Sequence, residues 1–307
     1  MKLKLGTRGS NLARTQSTTI ARQLETAGFE VELKIIRTSG DNSTAASFGS
    51  IGPQGVFVRE IEQALLDGAV DLAVHSFKDL PTSSPPELIV AAVPERHDVA
   101  DLLIADPDAL GSDADPLSAL RRGARVGTAS ARRRVWLEHF RPDIEVASLR
   151  GNVPTRIERL KEGRYDAILL AASGVGRLRA AGGALDGPLA GLTIARLDPE
   201  RFVPAPAQGA LAVQCRRDNS AVQDALAALD HAPSRTAVEA ERAALARAEG
   251  GCDTAFGAYC RRSRDGLALI AMLERGGRVR AARVQSKDGA ALTELLFAEL
   301  ERGGHHA

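Results

Sequence analysis

At 307 residues, with 44% hydrophobic and 26% charged residues, the chain is long enough for two or three domains of ordinary globular composition. A formal net charge of +1 offers no polycationic surface to nucleic acid, and Cys215, Cys252 and Cys260 stand in no metal-like spacing and build no disulfide framework. No run approaches a membrane span, and Met1 to Gly6 has no apolar core of signal-peptide length, so the cytoplasm is the expected compartment.

Lys2 to Gly6 alternates like a strand, and the loop Thr7-Arg8-Gly9-Ser10-Asn11 leads into a helix over about Leu12 to Ala27, closed by Gly28. Ser10 or Asn11 is its N-cap, and the free backbone N–H groups at such an end attract anions; Arg8 and Ser10 stand there. Val31, Leu33 and Ile35 alternate in a second strand. Residues 38 to 55 are polar and Gly/Ser-rich and read as a mobile loop of lid type. A helix over Val56 to Asp67 stops at Gly68, and a short buried strand, Asp71 to His75, runs into Ser76-Phe77-Lys78-Asp79-Leu80-Pro81. Ligands gather at the C-terminal ends of strands in open α/β sheets, so Lys78 and Asp79 stand where chemistry usually lies. On local sequence alone the same pair also reads as a solvated turn.

Residues 106 to 118 read as a surface excursion near a domain boundary. A second α/β series follows, with strands at Arg125 to Gly127, Ile144 to Ser148 and Ala167 to Ala171. Each runs into a helix start: Thr128-Ala129-Ser130-Ala131-Arg132-Arg133-Arg134, Leu149-Arg150-Gly151-Asn152-Val153-Pro154-Thr155-Arg156, and Ser173-Gly174-Val175-Gly176-Arg177. Arginine at three successive strand ends suggests a cleft lined for several carboxylates, which Arg grips bidentately and Lys does not. The competing explanation is genomic composition, since Ala and Gly are abundant too. Phosphate is disfavoured, because neither a GxxxxGK[ST] loop nor a GxGxxG after a strand occurs.

The segment Leu192 to Leu197 returns toward the first half, Pro204 to Gly209 is a turn-rich crossing, and Ala210 to Cys215 is a strand completing the first sheet. From about Asn219 the pattern changes to helices (Ala221 to Leu229, Ser234 to Ala248), strands (Leu267 to Leu273, Arg278 to Gln285) and a last helix (Ala290 to Arg302), a smaller α+β domain. Its tail, Gly303-Gly304-His305-His306, reads as frayed.

Ala237, Ala240, Ala244 and Ala248 mark one face of the helix that Gly250-Gly251 ends, presenting Cys252 on a tight turn. A thiol just past a helix C-terminus sits at the negative end of the dipole, which raises its pKa. That argues against a thiolate turning over many times, but not against a thiol alkylated once. The bland reading is a small buried residue.

These stretches together resemble the hydroxymethylbilane synthase, or porphobilinogen deaminase, family over nearly the whole chain. The marks are Thr7-Arg8-Gly9-Ser10, Gly55-Val56-Phe57-Val58, Val74-His75-Ser76-Phe77-Lys78-Asp79-Leu80-Pro81, Val126-Gly127-Thr128-Ala129-Ser130 with Arg132-Arg133, Ser148-Leu149-Arg150-Gly151-Asn152-Val153, Pro206-Ala207-Gln208-Gly209-Ala210 and Glu249-Gly250-Gly251-Cys252. Singly each is weak; in this order they are specific.

The resemblance implies an α/β fold with two periplasmic-binding-protein-like lobes and a small C-terminal α+β domain. The expected domains are 1–98 with 198–217, then 99–197, then 218–307. It implies that Cys252 carries a dipyrromethane cofactor through a thioether, and a monomer is expected. The implied reaction joins four porphobilinogen molecules head to tail with loss of ammonia and releases hydroxymethylbilane. Lys78, Asp79, Ser130, Arg132 and Arg133 are implied to hold the cofactor. Arg8, Ser10, Gln16, Arg150, Asn152, Arg156 and Arg177 are implied to hold the incoming substrate, with Phe57 packed near the site. Asp79 is implied to be catalytic, stabilising positive charge on pyrrole N–H groups.

Three departures stand out. Gln54 replaces a usual basic residue, Ala207 a usual Gly, and Asp253-Thr254-Ala255 a more apolar, Pro-containing run. Two other classes stay open on residues alone. A ligand-binding or effector protein on the same two-lobed fold would carry no covalent group. An enzyme using Cys252 as nucleophile would want a paired His, and neither His139 nor His231 sits in such a motif.

Overall fold

The computed structural model describes residues 1–36, 53–249 and 255–303. Most of the expected lid loop, Cys252 with its flanks, and the His305-His306 tail therefore lie outside the described residues, as do the side chains of residues 53–57 and 249. The chain divides into two compact units, Met1–His97 with Ala210–Arg235, and Asp98–Gly209 with Thr236–Ala307.

The first unit contains β1 (Lys2–Thr7), α1 (Asn11–Thr26), β2 (Glu30–Ile35), α2 (Pro53–Leu66), β3 (Leu72–Ser76) and β4 (Leu88–Ala92). Its sheet has the order β2-β1-β3-β10-β4, where β10 is Leu211–Arg216. β1 is parallel to β2 and β3, while β10 is antiparallel to both of its neighbours. Leu72, Ala73, Val74 and His75 are all buried, as a central strand covered on both faces requires. Leu3, Leu5, Ile20, Leu24, Val213 and Leu226 fill the core, the last from α7 (Ser220–Ala227). The alternation at Val31, Leu33 and Ile35 does make β2, but at the sheet edge, with Leu33 42% and Ile35 55% exposed. The helix expected from Val56 begins three residues earlier, at Pro53, a residue whose fixed φ suits a first turn.

The second unit repeats the pattern. β5 (Asp101–Ala105), β6 (Arg125–Gly127), α3 (Ala131–Phe140), β7 (Glu145–Ala147), α4 (Val153–Lys161), β8 (Ala167–Ala171), α5 (Ala172–Ala180), α6 (Asp186–Leu189) and β9 (Thr193–Arg196) follow in order. The sheet order is β7-β6-β8-β5-β9, with β6 parallel to β7 and β8, and β5 antiparallel to β8 and β9. The segment expected to return toward the first half is β9, whose Ala195 pairs with Leu103; the strand that does complete the first sheet is β10.

The C-terminal part holds α8 (Ala232–Glu249), a meander of β11 (Phe256–Ser263), β12 (Gly266–Arg275) and β13 (Arg278–Ser286), and α9 (Leu292–Glu301). Ala237, Ala240 and Ala244 of α8 are buried with Phe256, Leu269, Leu296 and Phe297 on one face of this sheet. Ile270 and Met272, on the other face, join Leu103, Trp136, Phe202 and Val203. β11 runs close to Val203 and Pro204: Ala258 N–H donates to the Pro204 carbonyl at 3.0 Å, and a Cβ at Gly257 would stand 2.7 Å from the Val203 oxygen. Only glycine fits there. Among the described residues no helix is long and apolar enough to cross a membrane.

Candidate active site

In the first unit, β1 and β3 are parallel neighbours, so their C-terminal ends lie side by side. Arg8-Gly9-Ser10 leaves one end and Ser76-Phe77-Lys78-Asp79 the other. Ser10 caps α1, its Oγ accepting from Ala13 N–H at 3.3 Å. One turn on, Gln16 is buried, and its Nε2 donates to Ser76 Oγ at 2.8 Å, tying helix to strand end. Phe77, Lys78 and Asp79 form a single 3₁₀ turn. Buried Phe77 and Leu80 anchor it, and Phe77 N–H donates to the Ala210 carbonyl at 3.1 Å. The anchoring leaves Lys78 half-buried and Asp79 exposed, which is how a carboxylate is offered to a ligand on a rigid support. Behind the turn, burial pushes the His75 imidazole down to about 4, a hydrogen bond to Gln214 opposing and the Arg8 charge adding to the effect. His75 is therefore neutral at pH 7.

In the second unit, the C-terminal ends of β6, β7 and β8 are adjacent, and α3, α4 and α5 start there. Ser130 Oγ caps α3 by accepting from Arg133 N–H at 3.4 Å, and Asn152 Oδ1 caps α4 by accepting from Thr155 N–H at 2.9 Å. None of the three helices has an acid in its first turn. Arg150 is exposed in the turn before α4, and its carbonyl accepts from Arg159 at 2.8 Å.

Arg132 and Arg133 are both buried, and both reach Asp101, which is 0% exposed. Arg132 Nη2 donates to Asp101 Oδ2 at 2.8 Å and Arg133 Nη2 to Oδ1 at 2.7 Å. Their Nη1 atoms donate to the carbonyls of Val203 at 2.8 Å and Leu169 at 3.0 Å. Gln208, also fully buried, adds a 2.8 Å bond from Nε2 to Asp101 Oδ1. Burial alone would raise the Asp101 carboxyl, but the two guanidinium charges and their hydrogen bonds outweigh it and hold it well below the usual carboxylate range. Two guanidiniums against one carboxylate leave one positive charge in excess.

Two further arginines carry the same sign. Burial lowers Arg177, on α5, to about 10, and its Nη2 donates to the Gly209 carbonyl at 2.7 Å. Burial also lowers Arg156, with the charges of Arg133 and Arg159 adding to it, while its Nε donates to the Gly151 carbonyl at 2.7 Å. Neither has an acidic partner among the described residues.

These residues stand at strand ends as expected, but the family resemblance implies only ligand contacts for Arg132 and Arg133. The structure engages Arg132 and Arg133 with Asp101, a residue the sequence reading passes over. Its only signal in the sequence is a lone carboxylate heading the apolar run Asp101-Leu102-Leu103-Ile104-Ala105. Phe57 lies in α2 with its side chain outside the described residues, and Cys252 lies outside them altogether.

The second unit suits an acidic cofactor. The Nε atoms of Arg132 and Arg133 are buried and have no hydrogen-bond partner among the described residues. An unpartnered buried N–H on a cluster with excess positive charge is what a ligand carboxylate satisfies.

The family description "Porphobilinogen deaminase, dipyromethane cofactor binding domain" matches residues 3–224. The porphobilinogen deaminase of Nitratidesulfovibrio vulgaris (strain Hildenborough) is 46% identical over 253 residues, 81% of this chain and 76% of that one. That of Roseiflexus sp. (strain RS-1) is 43% identical over 280 residues, 90% of this chain and 88% of that one. That of Roseiflexus castenholzii is 42% identical over 310 residues, 99% and 97% of the two chains. Among solved structures, an ancestral cationic amino acid solute binding protein aligns at 12% identity and a TM-score of 0.45, covering 74% of this chain and 87% of that one. With two lobes of like strand order, a C-terminal α+β part and these relatives, the chain belongs to the porphobilinogen deaminase family.

Proposed function

We propose that the chain is a hydroxymethylbilane synthase, a transferase that condenses four porphobilinogen molecules head to tail with loss of ammonia. The observation that carries this reading is the buried Arg132–Asp101–Arg133 cluster with its excess positive charge and unpartnered Nε atoms, beside Arg156 and Arg177, in a chain of this family. Porphobilinogen and its oligomers bear an acetate and a propionate on every ring, so a growing product demands guanidiniums from several loops.

A dipyrromethane held through Cys252 would supply a free pyrrole α-carbon as the nucleophile for the condensation. The protein's own residues then bind and orient. Lys78, Ser130, Arg132 and Arg133 hold the cofactor's carboxylates. Arg8, Ser10, Gln16, Arg150, Asn152, Arg156 and Arg177 hold the incoming ring, with Phe57 packed beside it. Asp79 accepts from pyrrole N–H groups. Loss of ammonia and carbon–carbon bonding both spread positive charge onto pyrrole nitrogen, and a fixed carboxylate there stabilises it without reorganisation. The enzyme works as a cytoplasmic monomer with no nucleic-acid partner, in keeping with its +1 net charge. The domains that serve this are 1–98 with 198–217, 99–197 and 218–307.

Intact mass tests the reading. Protein from cells that make porphobilinogen should exceed its sequence mass by one dipyrromethane, and Cys252→Ser should abolish the increment. Cys215→Ser and Cys260→Ser should keep it, since both thiols are buried, at 0% and 2% exposure. An unmodified wild-type mass overturns the assignment.

A further inference from the structure

Among the described residues Ala207 is the only non-glycine with positive φ, at +61°. An L-residue held in the left-handed region is disfavoured by contact of its Cβ with the backbone, so something must fix it there. Its N–H donates to Glu241 Oε2 at 2.7 Å, in a buried site. Glu241, on α8, is 0% exposed, and its other oxygen accepts from Cys260 N–H of β11 at 2.8 Å.

The next two residues point this anchor at the arginines. Gln208 donates from Nε2 to Asp101 and to the Val99 carbonyl, both at 2.8 Å, and Asp101 holds Arg132 and Arg133. The Gly209 carbonyl accepts from Arg177 at 2.7 Å. Three consecutive residues thus join one buried carboxylate to three of the arginines. A strained conformation that the surroundings over-determine is a common sign of a functional constraint.

We propose that Glu241 is a positioning residue for the arginine cluster. It touches no ligand. It holds Ala207 left-handed, and the conformation of Ala207 sets where the Gln208 amide and the Gly209 carbonyl stand. The inference rests on the proposed roles of Arg132, Arg133 and Arg177 in gripping the carboxylates of cofactor and substrate. Removing the charge of Glu241 weakens the hold on Ala207 N–H, and relaxation toward negative φ turns both groups away from Asp101 and Arg177.

The test uses the full-length protein from cells that make porphobilinogen. Glu241→Gln keeps shape and one acceptor oxygen but loses the charge. Ala207→Gly removes the steric preference against φ +61° and lets the backbone take the native conformation without the carboxylate. The readouts are the cofactor-loaded fraction by intact mass, and kcat and KM for porphobilinogen in the loaded protein. In Glu241→Gln the loaded fraction should fall and KM should rise about tenfold, equivalent to about 1.4 kcal/mol of binding, with kcat changed less than KM. Adding Ala207→Gly should recover a large part of both, and Ala207→Gly alone is the control for added backbone freedom. Wild-type loading and KM in Glu241→Gln overturn the proposal, as does a loss that Ala207→Gly leaves uncorrected, which marks a merely structural carboxylate. If Glu241→Gln yields no folded protein, Glu241→Asp carries the test: it keeps the charge on an arm one methylene shorter. A wild-type KM there, with no gain on adding Ala207→Gly, overturns the proposal equally. An unmodified wild-type mass would instead sink the functional reading, so the two failures are distinct.

Discussion

Replacing Asp101 by Asn keeps the size of the side chain and one acceptor oxygen but removes the charge between Arg132 and Arg133. The carboxylate accepts at 2.8 Å from Arg132, 2.7 Å from Arg133 and 2.8 Å from Gln208, with no exposure to solvent. In the variant two guanidiniums that stay charged face a neutral amide, and the amide's own N–H₂ confronts a donor. Removing one partner of a buried ion pair costs on the order of 3–5 kcal/mol, because the charge left behind is neither solvated nor compensated. Set against a typical total stability of about 5–15 kcal/mol, that is a large fraction. With a urea slope of about 2 kcal/mol/M, the unfolding midpoint should fall by roughly 1.5–2.5 M.

The chain has a single tryptophan, Trp136, fully buried on α3 three residues after Arg133, so its fluorescence reports this unit directly. The pH dependence gives a second check. Asp101 has a folded-state pKa lowered below its unfolded value, so its contribution is present above the unfolded pKa near about 4 and is lost as pH falls below it. Wild type should lose stability below about pH 4 and Asp101→Asn should lack that part of the slope. A urea midpoint within about 0.3 M of wild type, with the acid slope retained, would refute the reasoning.

Asp79→Asn should keep fold and cofactor yet lose about a thousandfold in turnover. A carboxylate about 4 Å from the developing cation is worth roughly 4 kcal/mol at an effective dielectric of about 20. Hydroxymethylbilane measured as uroporphyrin after oxidation decides it, and a rate within about tenfold of wild type would remove Asp79 from that role. His75 is neutral and buried with its pKa near 4, so the unfolded chain takes up a proton first as pH falls. Its contribution to stability is present above about pH 6.5 and is lost down to about pH 4, a change of about 3 kcal/mol. His75→Asn should flatten unfolding free energy against pH across that window, and an unaltered slope would mean that His75 protonates freely in the folded protein.

The strand-end loops were legible because their residues carry local meaning. Of the two N-cap candidates before α1, Ser10 is the cap, and the helix starts expected after β6 and β7 are capped by Ser130 and Asn152, with Gly, Ser and Pro marking the turns around them. Strands β6, β8 and β10 were legible as short apolar runs between such signals. β4 and β5 were passed over for a different reason. The partner of Leu88–Ala92 is β10, more than a hundred residues later, and nothing in the local pattern of Leu-Ile-Val-Ala-Ala announces it. Asp101 illustrates the same limit. Its guanidinium partners lie 31 and 32 residues away and its amide partner 107, so the sequence shows a carboxylate at the head of an apolar strand without the charges that make its burial tolerable. Ala207 was legible only as a departure from a usual Gly, and its φ of +61° supplies the physical reason a Gly suits that position.

The arginine edge is unfavourable by construction. Helices α3, α4 and α5 present the positive ends of their dipoles at the C-terminal ends of β6, β7 and β8, and each begins without an acid. Placing Arg132, Arg133 and Arg156 within the first turn or so adds like charge to those ends. Burial then removes the water that would screen it, which is why Arg156 and Arg177 hold their protons less tightly than a solvated guanidinium. A polar surface with no ligand to bind would dilute such charge with acids, as the exposed pairs Arg196–Asp98 and Arg179–Asp186 do elsewhere in the unit. At the edge itself Asp101 offsets a single charge, and it is spent inside the protein on alignment. The surplus fits planar anions best, because a guanidinium meets a carboxylate through two parallel hydrogen bonds and releases little hydration in doing so. A ligand with one carboxylate would leave most of that surplus unanswered. One that carries two on every ring, and gains a ring at each step, answers it in proportion to its length.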